Sequence, residues 1–343
     1  MTSKTELVSI ILPTYNRVDL LKDAVASILA QSYGNFELII IDDGSSDDTL
    51  SFVTSLKDNR IKLISQMNMG RSRARNNGLK AAEGSLITFI DSDDLYLPRK
   101  IELQVNFLNR HGEFDFVYTS ADCFVGNTPE VPIHRYLASA SGEIYEEIAA
   151  YIPLTICLPT VMFRKKVLDH IGLFDTNLDR FEDTDYWRRV SQKFQIGAME
   201  EITCLIRTHD GNSIDGLNTK DLRRQVLKYG KKILAEDLDN HGYVIFSLVS
   251  NLYRHYAWAI SSNSLGNVDG FLLYFKSEWL HKKYLYQNEI MEGSNLGRII
   301  LRMARGITSR FALSMKHLLI RLLGNRVVGI IVLLKSRAKR SLR

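Results

Sequence analysis

Glu37-Leu38-Ile39-Ile40-Ile41-Asp42-Asp43-Gly44-Ser45 sets a continuous apolar run directly against a turn of acids, glycine and serine. A run this short and this rich in β-branched residues suits a strand covered on both faces. Working outward, Val8–Leu12, Ile61–Ile64, Leu86–Ile90 and Phe114–Thr119 have the same strand character. Between them the period changes. Leu20, Leu21, Ala24, Val25, Ile28 and Leu29 recur at helical spacing within Asp19–Gln31. Asp48–Lys57 and Arg71–Ala82 also read as helices, and Pro98 opens another that runs to about Arg110. Strand and helix alternating in this way predict an α/β fold. Its mostly parallel sheet would carry helices on both faces.

In such a sheet, ligands bind outside the carboxyl ends of the strands. Those ends read Pro13-Thr14-Tyr15-Asn16, Asp42-Asp43-Gly44-Ser45, Asn68-Met69-Gly70 and Asp91-Ser92-Asp93-Asp94. Neither GxGxxG nor GxxxxGK[ST] follows any strand, which disfavours a dinucleotide enzyme and a P-loop NTPase. Asp91 and Asp93, two apart on a turn, offer hard oxygens to Mg²⁺ or Mn²⁺. A solvated acidic turn that caps the next helix accounts for the same residues. Asp43 suits a hydrogen bond to a nucleobase or ribose, while Gly44–Asp48 serve as turn and helix cap.

The chain resembles the family 2 glycosyltransferases, with their nucleotide-diphospho-sugar transferase fold. The resemblance rests on four segments in order: Val8–Arg17, Ile40–Asp47, Asn68-Met69-Gly70 with Ala74-Arg75-Asn76, and Phe89–Asp94. It continues through Pro159–Arg164, Ile171–Asp175 and Phe181–Trp187, covering about residues 6–215. The resemblance implies an inverting enzyme that moves a sugar from a nucleotide-diphosphate donor to an acceptor hydroxyl. It implies a nucleotide site formed by Pro13, Tyr15, Asp43, Gly70, Arg75 and Asp91. Mg²⁺ or Mn²⁺ would be held through Asp93, with Asp91 and His209. Asp183, the Asp of the Glu182-Asp183 pair, takes the role of general base. A sugar hydroxyl is a poor nucleophile and needs such a carboxylate, although Glu182, Asp183 and Asp185 also suit a helix N-terminus as plain charges. Arg207–Ser213 resembles the loop that folds over the diphosphate.

The whole-chain net charge of +5 conceals a split. From Gly293 onward there are 12 Lys or Arg and no acid, leaving residues 1–292 with 32 basic and 39 acidic side chains, a net of −7. An acidic body argues against nucleic acid as partner. The tail sets Arg298, Arg302 and Arg305 beside the apolar stripe Ile299, Ile300, Met303 and Ile307, a pattern suited to an anionic membrane surface. A helix packed on the catalytic domain accounts for it too. The three cysteines are scattered, with no CxxC pair, which fits a reducing compartment. Met1–Glu6 has no apolar signal core, and the longest apolar run of the tail is too short to span a bilayer. The expected organisation is therefore a catalytic domain over 1–220, a helical extension over 221–292 and a basic amphipathic tail over 293–343. The expected location is the cytoplasmic face of the membrane, beside a saccharide or lipid-linked acceptor in cell-surface polysaccharide, lipopolysaccharide or glycolipid assembly. The competing readings are a nucleotidyltransferase and a non-catalytic nucleotide-sugar-binding membrane protein.

Overall fold

The computed structural model describes residues 5–150, 156–208, 219–242, 244–263 and 268–287. The basic tail, His209 and the turn at 265–267 lie outside the described residues. Two compact units divide the chain, residues 1–216 and 217–343.

The first unit is built on a nine-stranded sheet. Its strands are β1 (Val8–Thr14), β2 (Phe36–Asp42), β3 (Ile61–Ser65), β4 (Leu86–Phe89), β5 (Leu95–Tyr96), β6 (Phe116–Val125), β7 (Pro132–Tyr136), β8 (Val161–Arg164) and β9 (Ile196–Thr208). They lie in the order β3-β2-β1-β4-β8-β6-β9-β5, with β7 paired to β6. β3, β2, β1 and β4 are mutually parallel. β8 enters between β4 and β6 and runs against both, so β6 and its parallel partner β9 keep the direction of β1–β4. The expected parallel alternation therefore holds to β4. Beyond it, Phe116–Val125 is separated from β4 by an antiparallel strand that comes from much later in the chain.

The apolar strands are buried on both faces, and their period of two separates two cores. Ile11, Ile39, Ile41 and Phe89 face one core, together with Phe163, Phe174, Tyr186 and Trp187. Ile10, Leu12, Leu38 and Ile40 face the other. Helix α1 (Val18–Leu29) closes the second core with Leu21, Ala24, Val25 and Ile28, and α4 (Lys100–Arg110) closes it with Ile101, Val105 and Leu108. On the first face lie α3 (Arg71–Ala81) and α7 (Glu182–Ser191); α2 (Thr49–Ser55), α5 (Tyr145–Ala150) and α6 (Lys165–Ile171) complete the unit. Helix α3 approaches the sheet at Gly78, where a Cβ would meet Ile11 Cγ2 at 2.6 Å and Ile41 Cδ1 at 2.8 Å.

The second unit contains α8 (Thr219–His241), α9 (Val244–Asn263) and α10 (Val268–Gln287). These helices bury Val226, Tyr229, Ile233, Val249, Leu252, Tyr253 and Leu273. Helices α9 and α10 are tied by a hydrogen bond from Ser250 Oγ to the Ser277 carbonyl at 2.8 Å. Among the described residues no helix is long and apolar enough to cross a membrane.

Candidate active site

At the carboxyl ends of β1 and β2 the loops are fastened to each other. Asn16 donates its N–H to Ser45 Oγ at 2.9 Å and accepts the Ser46 N–H on Oδ1 at 2.7 Å. Val18 donates to Asp47 Oδ2 at 3.0 Å. The loop Pro13–Arg17 is thus held on both sides of Arg17. Pro13 is buried at the end of β1, and the ring of Tyr15 stands out 45% exposed. Asp43 is buried and accepts the N–H groups of Met69 and Gly70, both at 2.9 Å, and the Gln66 amide at 2.6 Å. Gly70 has φ +84°, a left-handed conformation that glycine adopts without strain, and from there the chain turns into α3. In this structure Asp43 therefore organises the Asn68–Gly70 loop.

The acidic turn after β4 is held from three sides by arginines. Asp91 Oδ1 pairs with Arg75 Nη2 at 2.7 Å, and Asp93 Oδ2 with Arg17 Nη1 at 2.6 Å. Asp94 Oδ1 accepts the Arg207 N–H at 3.0 Å. The Arg207 guanidinium reaches the Asp93 carbonyl at 3.0 Å and Asp23 Oδ2 at 2.9 Å. The sequence reading put Arg207 and Thr208 in a loop; they end β9, and Arg207 is buried. Their pairing explains the correction. β5 binds β9 at Leu95–Leu205 and Tyr96–Cys204, which draws the acidic turn against that strand. Beneath the turn, Lys100 is fully buried and donates to Thr88 Oγ1 at 2.8 Å and Gln104 Oε1 at 2.6 Å. Burial pushes its ammonium down to about 8. No motif signalled this lysine, which sequence reading treats as an ordinary helix position.

Across from this turn, α7 begins at Phe181, whose φ of +65° is unusual for a bulky residue. That turn aims Glu182 inward and leaves Asp183 half-buried beside it. Asp183 Oδ1 accepts the Thr184 N–H at 2.7 Å and Thr184 Oγ1 at 3.3 Å. Behind it, Asp185 is fully buried between Arg188 at 2.8 Å and Arg189 at 3.0 Å. Glu182 Oε1 receives Arg71 Nε at 2.8 Å and Arg75 Nη1 at 2.9 Å. Burial raises the Glu182 carboxyl above its ordinary range, Asp183 adds to this, and Arg71 and Arg75 oppose it. Arg75 is 3% exposed and bridges Asp91 to Glu182. Burial alone would disfavour its charge, but Asp91 and Glu182 outweigh that and hold it firmly protonated. Asn76 fixes the same helix by exchanging hydrogen bonds with the Phe174 backbone, both at 2.9 Å.

The structure thus brings Asp91, Arg75, Glu182 and Asp183 into one connected group, with Asp93 and Asp94 in the same turn. The chemistry of this donor set suits a hard divalent cation. Asp94 is pushed well above the usual carboxylate range, first by burial and then by Asp93 and Asp91, so negative charge is crowded here. Among the described residues no three His, Cys, Asp or Glu side chains converge as a ready metal cage. Crowded charge is not a complete ligand geometry. One or two carboxylates with water and substrate phosphate are, however, the usual Mg²⁺ arrangement.

The comparisons agree with this architecture. The model of Glycosyl transferase family 2 matches residues 9–172. An uncharacterized glycosyltransferase of Rickettsia felis is 36% identical over 213 residues, covering 60% of this chain and 34% of that one. The chain thus matches only about a third of that relative's length. Escherichia coli WfaP, a UDP-Glc:alpha-D-GlcNAc-diphosphoundecaprenol beta-1,3-glucosyltransferase, is 42% identical over 237 residues, covering 64% of this chain and 84% of WfaP. The crystal structure of Staphylococcus aureus TarS 1–349 with UDP-GlcNAc superposes with a TM-score of 0.59 at 19% identity, covering 79% of each chain. That likeness shows a shared nucleotide-diphospho-sugar transferase fold. With the strand-end motifs in place on that fold, and WfaP matched across most of its length, the chain belongs to glycosyl transferase family 2.

Proposed function

We propose that this chain transfers a hexose from a nucleoside-diphosphate sugar to a hydroxyl of a sugar carried on a polyprenyl diphosphate, with inversion at the anomeric carbon. The observation that carries this reading is the buried Arg75 bridge. It fixes Asp91 on the donor side and Glu182, next to Asp183, on the acceptor side through contacts of 2.7 and 2.9 Å. The name of WfaP gives UDP-Glc as its donor and a diphosphoundecaprenol-linked GlcNAc as its acceptor, and supports the same substrate classes here.

The residues divide the work. The exposed Tyr15 ring packs on the nucleobase at the mouth of the site, over the loop closed by Pro13. Asp43 keeps the Asn68–Gly70 loop shaped for the nucleoside and borders the base. Asp91 faces the ribose and the diphosphate. Asp183 accepts the acceptor hydroxyl proton on Oδ2, its Oδ1 being held by Thr184. The acceptor oxygen then bonds to the anomeric carbon as the carbon–oxygen bond to the diphosphate breaks, and the electron pair leaves on the diphosphate. Glu182, clamped by Arg71 and Arg75, keeps Asp183 in line. A divalent cation, Mg²⁺ or Mn²⁺, held through Asp93, with Asp91 and His209 as its further proposed ligands, would neutralise charge on the departing diphosphate. We also propose that the basic tail 293–343 docks the enzyme on an anionic leaflet beside the acceptor, as its charge and apolar spacing suit.

The test is a panel of UDP- and GDP-hexoses offered with Mg²⁺ or Mn²⁺ and a polyprenyl-diphosphate sugar acceptor in anionic vesicles. The expected result is metal-dependent transfer from one donor class, with the full chain sedimenting on the vesicles and a chain ending at Glu292 not doing so. Absence of transfer from every donor contradicts the enzymatic reading. Equal sedimentation of the two chains contradicts the docking role of the tail.

A further inference from the structure

Each acid of the turn Asp91–Asp94 has an arginine of this chain, but the three arginines are not held alike. Arg75 is 3% exposed and joins Asp91 to Glu182. Arg207 is 3% exposed and is fastened to Asp23, to the Asp93 carbonyl and to the Gly126 carbonyl. Arg17 is 37% exposed and pairs with Asp93 at 2.6 Å, with no second carboxylate among the described residues. Its backbone cannot follow a moving side chain, because Asn16 is tied to Ser45 and Ser46, and Val18 to Asp47. A guanidinium on a fixed Cα, with solvent on one side and a single carboxylate on the other, is the one of the three built to swing.

We propose that Arg17 is an exchangeable counter-ion of Asp93: it occupies Oδ2 until a divalent cation arrives with the diphosphate, then yields Asp93 and pairs with a diphosphate oxygen. The inference rests on the reading of Asp93 as the cation's carboxylate. The physical argument is one of charge. A divalent cation at Oδ2 and a guanidinium 2.6 Å from the same oxygen compete for it and repel each other. Displacing Arg17 sacrifices a charge-assisted hydrogen bond, and a diphosphate restores it, since a guanidinium matches phosphate oxygens bidentately. Cation and diphosphate thus bind with positive coupling. Their arrival changes the net charge near Asp93 less than either alone. Arg17 also lies on the loop that carries Tyr15, so its movement places positive charge beside the nucleotide rather than in open solvent.

The experiment is Mn²⁺ binding by the full chain, followed by electron paramagnetic resonance, without and with UDP as a probe nucleotide. It compares the wild type with Arg17→Met, Arg17→Lys and Asp93→Asn. With Mn²⁺ alone, Arg17→Met is expected to bind about tenfold more tightly than wild type, the size of one charge-assisted hydrogen bond. Arg17→Lys stays near wild type. UDP should tighten Mn²⁺ more in wild type than in Arg17→Met. Equal Mn²⁺ affinity in wild type and Arg17→Met, with Asp93→Asn weaker than both, overturns the counter-ion role while Asp93 stands as a ligand. Unchanged binding in Asp93→Asn removes the ligand reading itself. An equal gain from UDP in wild type and Arg17→Met overturns the transfer of Arg17 to the diphosphate.

Discussion

The two halves of this site, proposed for donor and acceptor, are held together by different forces. On the proposed donor side, Asp43 and the Asn16 loop are fixed by hydrogen bonds between side chains and backbone N–H groups, while the acids of the Asp91–Asp94 turn pair with Arg75, Arg17 and Arg207. Asp43 is fixed by the N–H groups of Met69 and Gly70, and the Asn16 loop by Ser45, Ser46 and Asp47. On the acceptor side, charged side chains are buried and hold each other. Asp185 sits at 0% exposure between Arg188 and Arg189, and Glu182 between Arg71 and Arg75. Removing a carboxylate that caps N–H groups on a part-exposed loop leaves donors that water can reach. Buried ion groups differ, because removing one partner strands the other away from water. The donor half should therefore lose affinity when mutated, and the acceptor half should lose stability as well.

Arg75 is where the two halves meet, and its replacement gives the largest expected effect on stability. Arg75→Met leaves the buried Glu182 with Arg71 alone and takes the guanidinium from the part-exposed Asp91, and should destabilise the fold by about 3–5 kcal/mol. Urea unfolding measures this, and a loss near that of an exposed ion pair, below about 1 kcal/mol, would break the contrast. A smaller effect is expected at Asp43. Asp43→Ala frees the Met69 and Gly70 N–H groups at a partly buried loop, so donor KM should rise about tenfold. The kcat should change little and thermal unfolding should stay near that of wild type. An Asp43→Ala protein as unstable as Arg75→Met would show that the donor half is also held by buried charge.

The same contrast explains what could be read from the residues alone. The donor half follows a local code. Buried apolar runs at Ile10–Leu12 and Leu38–Ile41 each end in a polar turn, and the helices between show their period. The parallel run of β1 to β4, the helices on both faces of the sheet and the placing of Asp43, Asp91 and Asp93 at strand ends were legible, while the lateral order of the strands was not. The acceptor half depends on distant pairings. β8 is a strand because β4 and β6 flank it, and only four residues of it carry that pairing. β9 has its register shifted against Thr119–Ala121, and Glu200 and Glu201 interrupt its alternation, so no clean period marks it. The strand identity of Arg207 follows from those pairings, and the bridge made by Arg75 joins it to carboxylates 16 and 107 positions away in sequence, which no local pattern marks. Asp183 is singled out only by motif resemblance, and the left-handed Phe181 that aims its helix leaves no compositional signal.

The central claim is that Asp183 performs chemistry on the acceptor while the other half of the site binds the donor. Steady-state transfer by Asp183→Asn, with the donor dissociation constant measured on the same protein, tests it most directly. The account predicts a kcat lowered about 10²–10⁴-fold, unchanged donor affinity and unchanged unfolding, since Asn keeps the bond to the Thr184 N–H. A kcat near wild type, or a loss explained wholly by weaker donor binding, would contradict it.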